Sequence, residues 1–269
     1  MDPLEIITYF YPEDTPLRRV LILHSEQVRD KALQIAYYNK KSSLNREILI
    51  NGAMLHDIGI GKCNAKDIFC EGTEHYLKHG IIGAEMLRDY GKIHGIDMEV
   101  YARICERHTG SGLTAEEIRS GNLPLPEQDF LPETPEEKVI CLADKFYSKS
   151  GRMQEKPLKK IIHSMERFGA APAARFEEMG KEFRLRKIPR LTMDLKDIIG
   201  LTIFNFVIAN LTYCLCLLGE AFLKIKLWFL LFMLIRCLYF YRKKRLFAAD
   251  VWIYELFFIL IIFAGFFMH

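Results

Sequence analysis

The chain predicts an all-α fold: a helical bundle followed by hydrophobic transmembrane helices. Three observations carry this. Apolar residues recur at helical spacing through the first 183 residues. Two capping boxes, Thr114–Glu117 and Thr134–Glu137, open helices. No apolar–polar alternation runs long enough for a strand, and there is no internal repeat, dinucleotide-binding glycine motif or phosphate loop.

The elements follow in order. Leu17 to Tyr38 carries Val20, Leu21, Leu23, Val28, Leu33 and Ile35 at roughly helical period. Ser43 is the expected N-cap of a second helix running to His56, broken by Gly59 and Gly61. A third helix is expected over His79–Tyr90, burying Ile81, Ile82, Ala84, Met86 and Leu87, and a fourth over Asp97–His108. Pro135 sits at the favoured first helical position, and that helix continues through Val139, Ile140, Leu142, Ala143 and Phe146. A last helix is expected over Pro157–Phe183.

Residues 184–197 form a basic linker holding one proline. Ile198–Leu218 is 21 residues without a charge, enough to cross about 30 Å of hydrocarbon. Leu227–Tyr241 contains Arg236, and Val251–Met268 contains Glu255. Trp228, Tyr239, Tyr241, Trp252 and Tyr254 lie near the ends, as an interfacial belt requires. The expected organisation is a helical unit over 1–183, a juxtamembrane linker over 184–197, and an anchor of two or three transmembrane helices over 198–269. The basic residues flanking the spans put the helical unit, as an expectation, on the cytoplasmic side of the cell membrane, with lipid as a partner.

Charge excludes one class of function. Residues 198–269 hold seven Lys or Arg and three Asp or Glu, leaving residues 1–197 with 30 basic and 31 acidic of the chain's 37 and 34. A nearly neutral unit offers no surface for a nucleic acid polymer. The start Met1-Asp2-Pro3-Leu4-Glu5 is acidic and is not read as a signal peptide. Seven cysteines without paired spacing point to a reducing compartment.

The chemistry concentrates at His56-Asp57-Ile58-Gly59, which closes the apolar run Ala53-Met54-Leu55. Burying either polar group unpaired costs several kcal/mol, and a divalent metal would satisfy both. The simpler reading is a helix end whose polar groups face water. Further polar residues sit where a helical core would not want them. His24 lies between Leu23 and Val28, His79 begins the third helix, and His108 ends the fourth. Asp144 shares the apolar face of Ile140, four residues earlier. Taken singly, each histidine is more often an ordinary core or surface residue, and His75, His94 and His163 are read that way.

His24, His56-Asp57 and Asp144, in the contexts LHSEQV, MLHDIG and ICLADKF, resemble the signature of HD-domain metal-dependent phosphohydrolases of the HDIG subgroup. The resemblance covers about residues 15–183. It implies a helical bundle in which these four side chains hold a divalent metal. It also implies hydrolysis of phosphoesters or phosphoanhydrides of a small metabolite, often a nucleotide. The stretches HGIIGAEML from His79 and ERHTG around His108 resemble the added histidine motifs of dinuclear branches. One branch acts on dinucleoside tetraphosphates and another on cyclic dinucleotides, but the Gly-Tyr-Pro triplet of the latter is absent. On this resemblance Asp57 bridges two ions and His79 and His108 hold the second. His56 and Asp57 would be the catalytic pair, with metal-activated water as nucleophile. Mixed nitrogen and oxygen ligands suit Mn, Fe or Co better than Mg alone.

Arg107, Lys145, Lys62 and Lys149 are candidates to neutralise substrate phosphates. Basic residues near helix ends are usually solvated, and that reading is preferred for Lys62 and Lys149. Arg107, Lys145 and Lys62 form the substrate-binding set, with Ser25 and Ser148 as supporting donors. The rival function is a metal- or nucleotide-binding sensor without turnover.

Overall fold

The computed structural model describes residues 1–39, 43–151 and 153–188. Helix α1 (Pro3–Phe10) was not expected. Its local signals are Asp2, whose side chain accepts from the Leu4 amide, and Pro3 at the first helical position. Helix α2 (Pro16–Tyr38) starts the same way, with Thr15 accepting from the Arg18 amide. Helix α3 (Arg46–Leu55) is capped by Asn45, which accepts from the Glu47 and Ile48 amides. The helix therefore starts later than a Ser43 cap would place it.

After α3 the chain makes a 3-10 turn over Ile60–Lys62 and a small antiparallel hairpin, β1 (Asn64–Ala65) with β2 (Cys70–Glu71), Asn64 opposite Glu71. A further 3-10 turn, Tyr76–Lys78, leads into α4 (His79–His94), which outruns the expected end at Tyr90. Helix α5 (Glu99–Arg107) follows. Helices α6 (Ala115–Ser120) and α7 (Pro135–Asp144) both open on complete capping boxes.

The single helix expected over 157–183 is two, α8 (Leu158–Glu166) and α9 (Ala170–Glu182). The break is Gly169 at φ +119°, a conformation closed to other residues. Pro172 lies in the first turn of α9, where its missing N–H leaves no hydrogen bond unmade.

Helix α4 packs on α5, α2 packs on α3 and α7, and α8 on α9. The core between the first five of these holds Val28, Ala32, Ile35, Ala53, Leu55, Leu87, Ala102, Ile104, Val139 and Ile140, all buried. Cys63, Cys70, Cys105 and Cys141 are buried free thiols.

The expected membrane location is corrected here. Among the described residues, no helix is long and apolar enough to cross a membrane. Even α2, with 23 residues, carries Arg18, Arg19, Glu26, Arg29, Asp30 and Lys31, more charge than hydrocarbon accepts. The apolar segments 198–218, 227–241 and 251–268, on which the transmembrane helices were expected, lie outside the described residues.

Candidate metal centre

Five helices deliver six polar side chains to one buried place. His24 comes from the middle of α2, and His56 is the C-cap of α3, followed by Asp57. His79 is the first residue of α4, His108 the C-cap of α5, and Asp144 the last residue of α7. None is more than 6% exposed.

Three of the histidines are aimed by one device. A backbone carbonyl has two lone pairs, so it can accept from a side chain three residues on. His56 Nδ1 donates to the Ala53 carbonyl (2.7 Å), His79 Nδ1 to Tyr76 (2.6 Å) and His108 Nδ1 to Cys105 (2.8 Å). Each partner is three residues back. The carbonyl assigns the proton to Nδ1 and turns Nε2 inward as a lone pair, the form in which imidazole binds a metal.

The inward atoms form two groups that share Asp57. In the first, His24 Nε2 lies 3.3 Å and His56 Nε2 3.1 Å from Asp57 Oδ2. Asp144 Oδ1 lies 2.9 Å from His24 Nε2 and 3.6 Å from His56 Nε2. In the second, His79 Nε2 and His108 Nε2 are each 3.4 Å from Asp57 Oδ1 and 3.0 Å from one another. His56 Nε2 and both Asp57 oxygens are buried without a well-formed hydrogen bond. Two donors about 2.1 Å from one ion and at right angles across it lie about 3 Å apart. The cluster fits a divalent metal in both its donor set and its spacing.

The electrostatics agree. Burial opposes ionisation of Asp57 and Asp144. His56 and Lys149 around the first, and Lys145 and Lys149 around the second, outweigh it and hold both carboxyls well below the usual carboxylate range. Burial alone would lower His56, but Asp57 and Asp144 raise it to about 9. A divalent ion on Nε2 would stand in place of that proton. Burial, reinforced by His108, lowers His79 to about 3, and burial lowers His108 as well. Those two rings are neutral and ready to ligate.

The expected phosphate-binding residues divide. Lys145 pairs with Asp144 Oδ2 at the cluster's edge. Arg107 Nη1 donates to the Leu131 carbonyl (2.6 Å) and pairs with Glu133 (2.7 Å), so it holds the 131–133 strand of loop. Lys62 is exposed. Ser25 is buried on α2 beside His24, and its hydroxyl has no partner.

Lys149, read from sequence as solvated, is instead turned inward, its Nζ 2.7 Å from Asp57 Oδ2 and its side chain 13% exposed. Burial lowers its pKa, but Asp57 and Asp144 raise it further, so it stays charged. Two tyrosines were also missed. Tyr76 stacks on His79 with ring centroids 4.8 Å apart. The Tyr11 hydroxyl donates to the Ile58 carbonyl (2.6 Å) and accepts from the Gly61 amide (3.1 Å), clamping the turn behind Asp57.

Comparison with known proteins agrees with this geometry. The chain is 39% identical over 112 residues to an uncharacterized protein of Methanocaldococcus jannaschii, covering 42% of this chain and 56% of that one. It is 39% identical over 129 residues to a tRNA (cytidine(56)-2'-O)-methyltransferase of Picrophilus torridus, covering 48% of this chain and 32% of the relative. It is 30% identical over 154 residues to the protein of that name from Thermoplasma volcanium, covering 57% and 38%. This chain thus spans between a third and just over half of these curated relatives. No solved structure matches it significantly. His24, His56, Asp57, His79, His108 and Asp144 all fall within residues 21–148, the stretch that matches the HD domain family.

Proposed function

We propose that this protein is a metal-dependent phosphohydrolase of the HDIG subgroup. It would hydrolyse a phosphoester or phosphoanhydride of a small metabolite, for which a nucleotide is the first candidate. The observation that supports this is the pair of buried ligand groups that meet on Asp57. His24, His56, Asp57 and Asp144 would hold one ion, and Asp57, His79 and His108 a second. Mn, Fe or Co suits these nitrogen and oxygen donors.

Divalent ions there would supply an activated water at neutral pH and a clamp for phosphoryl oxygens. The chain's own residues do the rest. The Ala53, Tyr76 and Cys105 carbonyls keep three Nε2 atoms aimed inward. Asp57, with one oxygen toward each group, would join the two groups and orient the attacking water. Lys145, paired with Asp144 at the edge of the cluster, would meet substrate phosphate. The methyltransferase names belong to relatives of which this chain covers about a third, and methyl transfer is no part of the proposal.

The test uses the purified full chain, stripped with a chelator and reloaded with Mn, Fe or Co. Phosphate release is then followed over a panel of nucleotides. Release that requires the ion and disappears in Asp57→Asn is expected. Ion uptake with no release from any nucleotide would overturn the proposal.

A further inference from the structure

Lys149 is a cation placed against a carboxylate that already has other work. Its Nζ lies 2.7 Å from Asp57 Oδ2, yet that oxygen has no well-formed hydrogen bond. The ammonium pairs with Asp57 by charge, in a geometry that leaves the directed bond poorly formed. Lys149 lies between α7 and α8, where the described residues form no helix or strand, and a four-carbon stem lets its head re-aim. Tyr76 flanks it on the other side, with the ring centroid 6.0 Å from Nζ. Lys145, four residues earlier, holds the outer oxygen of Asp144, Oδ2, while Lys149 stands on the Asp57 oxygen that faces His24 and His56.

Charge says what these ammoniums face. Once an ion stands in place of the His56 proton, the charges of Asp57 and Asp144 are balanced by Lys145 and Lys149 alone. Ion-bound imidazoles are neutral, so every divalent ion adds uncompensated positive charge. A loaded cluster needs an anion that carries more than one charge, and the groups free to meet it are the lysine heads. A terminal phosphoryl group, as in a phosphomonoester, is a dianion near neutral pH, whereas a diester linkage carries one charge.

We infer that Lys149 binds the substrate's phosphoryl oxygens and, with Lys145, selects a terminal dianionic phosphate over a diester linkage. The inference rests on the metal-dependent reading above.

The experiment compares full-length wild type, Lys149→Gln and Lys149→Arg, titrated first with Mn and then, loaded, with inorganic phosphate and with dimethyl phosphate. Circular dichroism checks that each variant is folded. In Lys149→Gln, phosphate binding should weaken by about tenfold or more, the size of one charge-assisted hydrogen bond. Mn affinity should hold or rise, because a cation has left the neighbourhood of Asp57. Lys149→Arg should retain most of the phosphate affinity, and wild type should bind dimethyl phosphate more weakly than phosphate. Unchanged phosphate affinity in Lys149→Gln would overturn the inference. So would a large loss of Mn affinity, which would make Lys149 a support for Asp57, and so would equal binding of the two anions. Failure of wild type to take up Mn would instead refute the metal reading itself.

Discussion

His79 Nε2 and His108 Nε2 face each other across 3.0 Å while each ring's Nδ1 proton is committed to a backbone carbonyl. Two lone pairs at that distance repel unless a cation lies between them. Asp57 Oδ1, 3.4 Å from both, completes a three-donor face. The pair is also mechanically braced: Tyr76, whose carbonyl fixes His79, stacks its ring on the same histidine.

That relationship predicts metal stoichiometry. Wild type should carry two ions by elemental analysis, and His79→Ala should lose one while keeping the other on His24, His56, Asp57 and Asp144. A single tightly held ion in wild type, unchanged in His79→Ala, would contradict the second group.

Gly59 is the next sensitive point, and its backbone is ordinary helical geometry at φ −82°. What it needs is space. A Cβ there would lie 2.3 Å from the His79 carbonyl oxygen and 2.4 Å from the Gly83 amide nitrogen. These are backbone atoms that cannot step aside. Gly59→Ala should cost about 1–3 kcal/mol in urea unfolding and weaken metal binding by displacing His79. An Ala variant with both properties intact would show that α4 is less firmly seated than this packing indicates.

Tyr11→Phe removes the hydroxyl that clamps Ile58 to Gly61 and should destabilise the chain by about 1–2 kcal/mol at neutral pH. Burial raises Tyr11 from 10.0 to about 12. A group with a raised pKa contributes its full stabilisation below the unfolded value and loses it as pH climbs to the folded value. The wild-type advantage over Tyr11→Phe should thus hold to about pH 10 and shrink toward pH 12. Denaturation midpoints measured across that window check it, and a constant difference would mean the hydroxyl is not buried as a neutral donor.

Glu117 closes the capping box of α6 and accepts two bonds from Arg175 of α9, at 2.7 and 2.9 Å. Burial raises its pKa, but the Thr114 amide and Arg175 outweigh that and lower it below the usual 4.5. A depressed carboxyl stabilises above its unfolded value and loses that contribution as pH falls through the folded one. Glu117→Gln should cost about 1–2 kcal/mol at pH 7, and the gap to wild type should narrow below about pH 4.5. Thermal melts at pH 7 and pH 3.5 measure it; an equal gap at both would remove the ion pair from the account.

Much of this was present in the chain as local physics. The two Thr-x-x-Glu boxes and Pro135 start α6 and α7 where the sequence places them, because a cap is decided within four residues. Asp144 on an apolar face, and His56-Asp57 ending a buried run, marked themselves by the cost of burying charge. The α8–α9 break was missed because Gly169 looked like any glycine until its φ of +119° was known.

What only the tertiary structure decided is direction. Arg107 adjoins His108 and Lys145 adjoins Asp144, yet one turns to Leu131 and Glu133 while the other stays on the cluster. Lys149 lies in an irregular segment with no period to say which way it points, and packing against Tyr76 and Asp57 turned it inward. Tyr11 is 47 residues from the carbonyl it holds. The residue types and their spacing determined which side chains could bind a metal. The meeting of five helix ends and middles, separated by up to 120 residues, determined that His24 and Asp144 reach one another. Contacts between such distant segments arise from how the helices pack, and no local signal in the chain encodes them.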